Sequence, residues 1–301
     1  MTNVRRKSLV VGASGQIGEH FLTALDTSDD MSAVGTYNHH SRPGLIPLDV
    51  RDLREFARVV KEHRPEVVYL TACVANVDYC EEHADTAYET NVVGVRNAVH
   101  VANQNGCKLV YISSEYLFDG SAGPYDEYAV PKPMSVYGWQ KLAAEHYIAA
   151  FADDSLIIRT TVVYSWESQG KNFLYRLRNS LIDGQQIKVP ADQVSSPTYA
   201  PDLVRAMIQL VRQNERGVFN VAGSRIANRY EFAVAAAGAF GLDATLIVPV
   251  ATVDLKQPAR RPLNAGLVVD KVERALGRPM LDFSVCLLEM ARTAPAVGAK
   301  G

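Results

Sequence analysis

Leu9-Val10-Val11-Gly12-Ala13-Ser14-Gly15-Gln16-Ile17-Gly18 is the stretch whose reading decides the fold. An apolar run passes into three glycines, and residues 16–25 then carry apolar positions at helical spacing, so the reading is strand, tight turn, helix. Glycines at such a junction let a backbone approach a pyrophosphate seated on the helix N-terminus, where free N–H groups and the helix dipole favour an anion. A glycine triplet alone says little in a chain with 20 glycines. The strand before it and the helix after it make dinucleotide binding the expectation.

Working outward, short apolar runs at 8–11, 32–36, 67–70, 108–112 and 156–159 alternate with helical patterns at 16–25, 53–63, 84–105 and 136–151. That rhythm predicts an α/β fold: a Rossmann-like, doubly wound parallel sheet with helices on both faces. The alternation breaks after Thr160. Residues 201–211 then read as a helix and 217–221 as a buried strand returning to the sheet. The expected organisation is a dinucleotide-binding domain over 1–164 rejoined by 195–223. Residues 165–194 and 224–301 are expected to form a smaller C-terminal α+β lobe for substrate.

With 48% hydrophobic residues in 301, the chain can bury a full core. Lys and Arg number 31 against 33 Asp and Glu, so nothing marks it for nucleic acid or a membrane surface. The longest weakly polar stretch, 233–253, is interrupted by Gly238, Gly241, Asp243 and Pro249, which suits a helix and a strand better than a membrane span. Cys73, Cys80, Cys107 and Cys286 form no CxxC pair and read as core thiols in a reducing compartment. The basic residues at the start precede an apolar run far too short for a secretion signal, so cytoplasm is the expectation.

Chemistry is carried by Ser114, Tyr137 and Lys141. The pattern Tyr-x-x-x-Lys occurs twice, but at Tyr128 and Lys132 the flanking Pro131 and Pro133 exclude the helix that would align the pair. Tyr137 and Lys141 open a proline-free helix and become i, i+4 neighbours. A fixed ammonium beside a phenol lowers the phenol's pKa from near 10, which makes tyrosine a usable acid-base group. Ser114 follows the strand at 108–112, at the carboxyl edge where ligands bind in such sheets, and could polarise a substrate oxygen.

The cofactor can also be read. An NAD site usually has an acidic residue about 20 positions past the glycines, and none occurs between Asp30 and Asp49. Asn38, His39, His40 and Arg42 stand there instead, a set suited to a 2′-phosphate, so NADP(H) is favoured over NAD(H). No further His or Cys has ligand spacing with the two histidines, and no metal is expected. Asp49 is left between two roles, a bond to the adenine amine or a cap for the helix from Leu53.

With these motifs in hand, the chain resembles an extended short-chain dehydrogenase/reductase over nearly its whole length. Ser113-Ser114-Glu115-Tyr116-Leu117-Phe118-Asp119-Gly120, Pro124-Tyr125-Asp126-Glu127, Tyr137-Gly138, Ser196-Pro197-Thr198 with Asp202-Leu203, and Arg261-Pro262-Leu263-Asn264 are similar to the dTDP-4-dehydrorhamnose reductase family. The resemblance implies hydride delivery from NADPH to the 4-keto group of a 6-deoxy nucleotide sugar. Ser114 would orient the ketone, Tyr137 protonate it and Lys141 tune Tyr137. The regulatory beta subunit of methionine adenosyltransferase shares these motifs, so an NADP-binding partner protein is the alternative.

Cofactor contacts are expected at Gly12, Ser14, Gly15, Gln16, Ile17, Gly18, Asn38, Arg42, Asp49, Val50, Ala72 and Lys141, and substrate contacts at Val74, Glu115, Tyr116, Phe118, Arg260 and Arg261. Glu115 is also a candidate acid-base group should the reaction be an epimerisation or dehydration. Arg260 and Arg261 read either as a diphosphate clamp or as a surface salt-bridge cluster. Val162, within Arg159-Thr160-Thr161-Val162-Val163-Tyr164, stands where rhamnose-forming relatives carry tryptophan, and Ala265 and Gly266 replace a serine and an arginine of the related motif. The helices at 84–105 and 136–151 resemble those that pair in homodimers of this superfamily.

Overall fold

The computed structural model describes residues 5–295, and the ends of the two expected segments, 1–4 and 296–301, lie outside the described residues. Seven parallel strands form the sheet: β1 (Arg6–Val11), β2 (Met31–Tyr37), β3 (Ile46–Pro47), β4 (Val67–Leu70), β5 (Lys108–Ser114), β6 (Ser155–Thr160) and β7 (Gly217–Asn220). Their spatial order is β7-β6-β5-β4-β1-β2-β3. The order reverses beside β1, and the crevice over the carboxyl ends of β1 and β4 is where such sheets take ligands. All four residues of β4 are buried, as befits a strand covered on both faces. β3 was not foreseen; its Pro47 fits an edge strand, where no ladder donor is required.

Helices α1 (Gln16–Asp26), α2 (Leu53–His63) and α4 (Val136–Phe151) lie close to the expected bounds, whereas α3 (Gly94–Asn105) takes only the second half of the expected 84–105. Local chemistry sets those ends. Asp52 caps α2 by accepting from the Arg54 and Glu55 N–H groups at 2.9 and 3.0 Å, Ser135 caps α4 by accepting from Gly138 N–H at 3.3 Å, and Gly106 ends α3 at φ 64°. The pattern at 84–105 is broken by a π-helical turn at Glu89–Val93. Phe56, Val59, Val99, Ala144 and Ile148 of α2, α3 and α4 cover one face of the sheet, and Phe21 and Leu25 of α1 help to cover the other.

The rest of the chain supplies α5 (Phe173–Ile182), α6 (Ala200–Arg212), α7 (Arg229–Phe240), α8 (Asp270–Leu276) and α9 (Phe283–Arg292). Leu174, Leu177, Phe232, Ala236, Phe283 and Leu287 of α5, α7 and α9 form a separate core with Val189 and Ile247 of a parallel strand pair, Ile187–Pro190 with Ile247–Val250. A capping box of Asn228 and Glu231 starts α7, and Gly241 at φ 65° stops it.

Part of 224–301 departs from its expected place. Leu267, Val269, Val272, Leu276 and Met280 join the core under the sheet with α6, and Asn220 of β7 donates to the Tyr125 and Val268 carbonyls at 3.0 and 3.1 Å. Apolar residues along α8 find their complement beside β7 rather than in the lobe, and only the tertiary arrangement reveals that.

Candidate active site

One cleft of about 1040 Å³ lies between the sheet edge and the smaller core. Gly15, Gln16 and Ile17 form one end; Ser114, Glu115, Tyr116, Tyr137 and Lys141 form the floor; and Arg176, Lys188, Gln193, Arg229 and Arg261 form the far wall.

The cradle follows from backbone geometry. Gly12 has φ 89°, in the left-handed region that favours glycine, and a Cβ there would stand 2.8 Å from the Ala72 nitrogen. A Cβ on Gly18 would meet the Gly12 carbonyl and would lie 2.6 Å from Ala13 Cα, so α1 can pack against the turn only with glycine at that position. Gly15 caps α1 with no side-chain hydrogen bond, which leaves the first-turn N–H groups directed at the cleft without a side-chain acceptor. The residues therefore fit a dinucleotide pyrophosphate.

Ser14, Gly12 and Gly18 build this turn from behind rather than line the cleft. Ala72 lies two residues past β4, its N–H donating to the Val11 carbonyl at 3.0 Å. Val50 is packed in the core beside Gly94, where a Cβ would come 2.6 Å from Val50 Cγ2. Asn38 is exposed at the end of β2. Asp49 grips Arg51 at 2.9 Å and the cap of α2 is Asp52, so the capping role considered for Asp49 is corrected.

Arg42 pairs with Glu19 in the first turn of α1 and also reaches the Ser14 carbonyl at 3.4 Å. Glu19 in turn accepts from the Ser168 hydroxyl, and Gln169 donates to the Ser14 carbonyl at 2.7 Å, so the 165–171 loop crosses the glycine turn. His40 lies 3.2 Å from Lys171 of the same loop.

The proton-transfer residues converge. Tyr137 and Lys141 project from the first turns of α4, and Lys141 Nζ donates to the Ile112 carbonyl at 2.9 Å and stands 5.7 Å from the Tyr137 ring centre. Gly138 permits this seating, because a Cβ there would strike the Tyr116 carbonyl and would come 2.9 Å from Pro133 Cβ. Burial pushes the Tyr137 phenol well above its ordinary range. Lys141 pulls in the expected direction but burial outweighs it, so Tyr137 is held protonated, the state a proton donor needs. At the other Tyr-x-x-x-Lys, Tyr128 is 86% exposed and Lys132 pairs with Asp119 at 2.9 Å, away from the cleft.

Ser114 ends β5 with its hydroxyl 2.6 Å from Glu115 Oε2. The Tyr116 ring meets Tyr137 edge-on, with centres 5.6 Å apart. Val162 lines the cleft at φ 39°, a strained conformation for a β-branched residue, with its carbonyl held by Thr198 N–H at 3.2 Å.

Several residues expected at the substrate do not reach it. Phe118 is core, stacked on Tyr125 with centres 4.1 Å apart, and Val74 stands behind the cleft with its backbone held by Asn91. Arg260 is exposed and outside the lining, whereas Arg261 faces the cleft over Tyr116 and pairs with Asp78 at 2.8 Å. Of the two arginines only Arg261 lines the cleft.

Sequence reasoning missed Arg229 and Arg176, which share this wall and, among the described residues, have no carboxylate partner. Burial, joined by the repulsion of Arg176 and Arg261, draws the Arg229 pKa below its ordinary value. Converging guanidiniums of that kind call for an anion with more than one charge. Asn91 was also missed: from the π-helical turn it donates to Val74 O at 3.1 Å and to Gln140 Oε1 at 2.9 Å, tying α4 to the loop after β4. Cys73, read as a core thiol, lines the cleft and is only partly buried.

Known proteins match this arrangement along its length. The family described as RmlD substrate binding domain matches residues 6–294. The spore coat polysaccharide biosynthesis protein SpsK of Bacillus subtilis (strain 168) is 31% identical over 274 residues, covering 91% of this chain and 93% of its own. Methionine adenosyltransferase 2 subunit beta of Danio rerio is 26% identical over 275 residues, covering 89% and 84%. The dTDP-4-dehydrorhamnose reductase of Bacillus anthracis str. Ames, solved in complex with NADP, superposes with a TM-score of 0.88 at 26% identity, covering 97% of this chain and all of that one.

Proposed function

The chain belongs to the RmlD substrate binding domain family, and on that premise we propose that it is an NADPH-dependent reductase of the 4-keto group of a 6-deoxy nucleotide sugar. One observation carries this reading: a single cleft joins a pyrophosphate cradle, a Ser114–Tyr137–Lys141 floor and an arginine wall. The relative from Bacillus anthracis, named a dTDP-4-dehydrorhamnose reductase and solved with NADP, supports the substrate class and the cofactor.

NADPH, when bound, would supply the hydride. The first-turn N–H groups of α1 would hold its pyrophosphate, Arg42 would exchange Glu19 for its 2′-phosphate, and Lys141 would hold the nicotinamide ribose. Ser114 hydrogen-bonds the ketone oxygen, and Tyr137, kept protonated by burial, gives its proton to that oxygen as the alcohol forms. Arg229, Arg176 and Arg261 bind the diphosphate of the sugar nucleotide. Two copies pair through the 84–105 segment and α4 in this reading, where Tyr88 of the first and Trp139 and Phe151 of the second leave large apolar surface exposed. The free thiols suit a reducing cytoplasm.

Oxidation of NADPH followed by absorbance with dTDP-, UDP- and GDP-4-keto-6-deoxy sugars tests the proposal; turnover of none of them would refute it. The second reading, an NADP-binding regulatory subunit, is favoured by the similarity to the Danio rerio protein. Its test is capture of a methionine adenosyltransferase catalytic subunit together with absence of keto-sugar turnover.

A further inference from the structure

Glu115 is a buried carboxyl on the floor of the cleft, next to the residue that meets the ketone. Among the described residues it forms no ion pair, and its partner is the Ser114 hydroxyl at 2.6 Å. Ser114 Oγ also accepts from Tyr116 N–H at 3.3 Å. A hydroxyl has one hydrogen to give and two lone pairs to fill, and that inventory makes the outcome depend on one proton. With Glu115 ionised, Ser114 must spend its only hydrogen on the carboxylate. With Glu115 neutral, the carboxyl O–H and Tyr116 N–H fill both lone pairs, and the Ser114 hydrogen is left for the cleft.

We propose that Glu115 is a positioning residue whose neutral carboxyl donates to Ser114 Oγ and thereby turns the Ser114 hydroxyl onto the substrate ketone; ionisation withdraws that hydrogen and lowers turnover. The inference rests on the reductase reading above. Burial favours the neutral form, pushing the carboxyl above its ordinary range, while the hydroxyls of Ser114 and Thr161, its own backbone N–H and the charge of Arg229 oppose it. The other groups around it leave its titration distinct. Tyr116 beside it is pushed up to about 12, Tyr137 from α4 is raised further by burial, and the cation that acts on it is Arg229 at the start of α7, with Arg261 from the loop before α8 and Lys141 from α4 lining the same cleft.

The test compares wild type, Glu115→Gln and Glu115→Leu with NADPH and dTDP-4-dehydrorhamnose. In wild type, kcat should fall about tenfold per pH unit above the Glu115 titration, a limb well below that of any tyrosine. Glu115→Gln, whose amide still donates to Ser114, should keep the low-pH kcat within about threefold and lose this limb, so that kcat falls only where Tyr137 ionises. Glu115→Leu should lower kcat at all pH values with little change in KM. An alkaline limb that persists in Glu115→Gln would overturn the proposal. Infrared difference spectra of the NADP+ complexes, wild type minus Glu115→Gln, read the carboxyl without any substrate: a protonated-carboxyl band at neutral pH is expected, and a carboxylate band there overturns the proposal. If no keto-sugar is turned over while the protonated band is present, it is the reductase reading that fails.

Discussion

At the scale of single residues, the account divides the cleft into groups that act on the ketone and groups that hold the two phosphate ends. Arg42 should read the 2′-phosphate, so Arg42→Ala should weaken NADPH by about tenfold or more, the worth of a charge-assisted hydrogen bond, and leave NADH within about twofold. Fluorescence titration of both cofactors measures it. Arg229→Ala should raise KM for the sugar nucleotide by about tenfold or more and leave the Kd for NADPH unchanged, because Arg229 stands among Tyr116, Arg176 and Arg261 and not among the residues of the glycine turn. Ser114, Tyr137 and Lys141 were legible because each sits at a strand end or helix start that local pattern reveals. Arg229 was not, since what marks it is its approach to Tyr116, Arg176 and Arg261, residues brought near only by the fold. Arg260 and Arg261 show the same limit: adjacent arginines in an irregular segment face opposite ways, and nothing in their spacing says which one turns inward.

At the scale of elements, α4 carries the chemistry and is anchored at its first turn and midway along. Gly138 seats its first turn on the Tyr116 carbonyl, and Glu145, two turns along, binds Arg159 of β6 at 2.7 Å with both side chains about 95% buried. Removing one member of a buried pair strands the other charge. Glu145→Ala should therefore cost about 3–5 kcal/mol in denaturant unfolding, whereas breaking the exposed pair of Arg58 and Glu55 should leave the unfolding midpoint nearly unchanged. The limits of α2 and α4 were readable from apolar spacing alone; Asp52 and Ser135 cap them, but at α2 the cap weighed from the sequence was Asp49, three residues too early. The π-helical turn at Glu89–Val93 has no such marker; it exists to turn Asn91 toward Val74 and Gln140, a demand made by the site.

At the scale of the molecule, the sheet brings the cofactor end and the reacting end to one edge, and the smaller core supplies the wall that faces them. The alternation of strands and helices made the sheet legible, whereas the return of 265–280 to it was hidden, because an apolar segment does not state which of two cores it enters. The loop at 165–171 links the halves over the glycine turn through Gln169 and Ser168, so ordering by cofactor should spread beyond the cradle. NADPH at 100 times its Kd should stabilise the protein by about 2.7 kcal/mol, and hydrogen exchange should slow at 165–171 as well as in α1. The most direct measurement is NADPH oxidation by wild type and Tyr137→Phe with dTDP-4-dehydrorhamnose, alongside the Kd of each for NADPH. The account predicts turnover by wild type, a fall of about 10²–10⁴ in kcat for Tyr137→Phe, and equal cofactor affinity. Undiminished turnover by Tyr137→Phe with normal cofactor binding would contradict it.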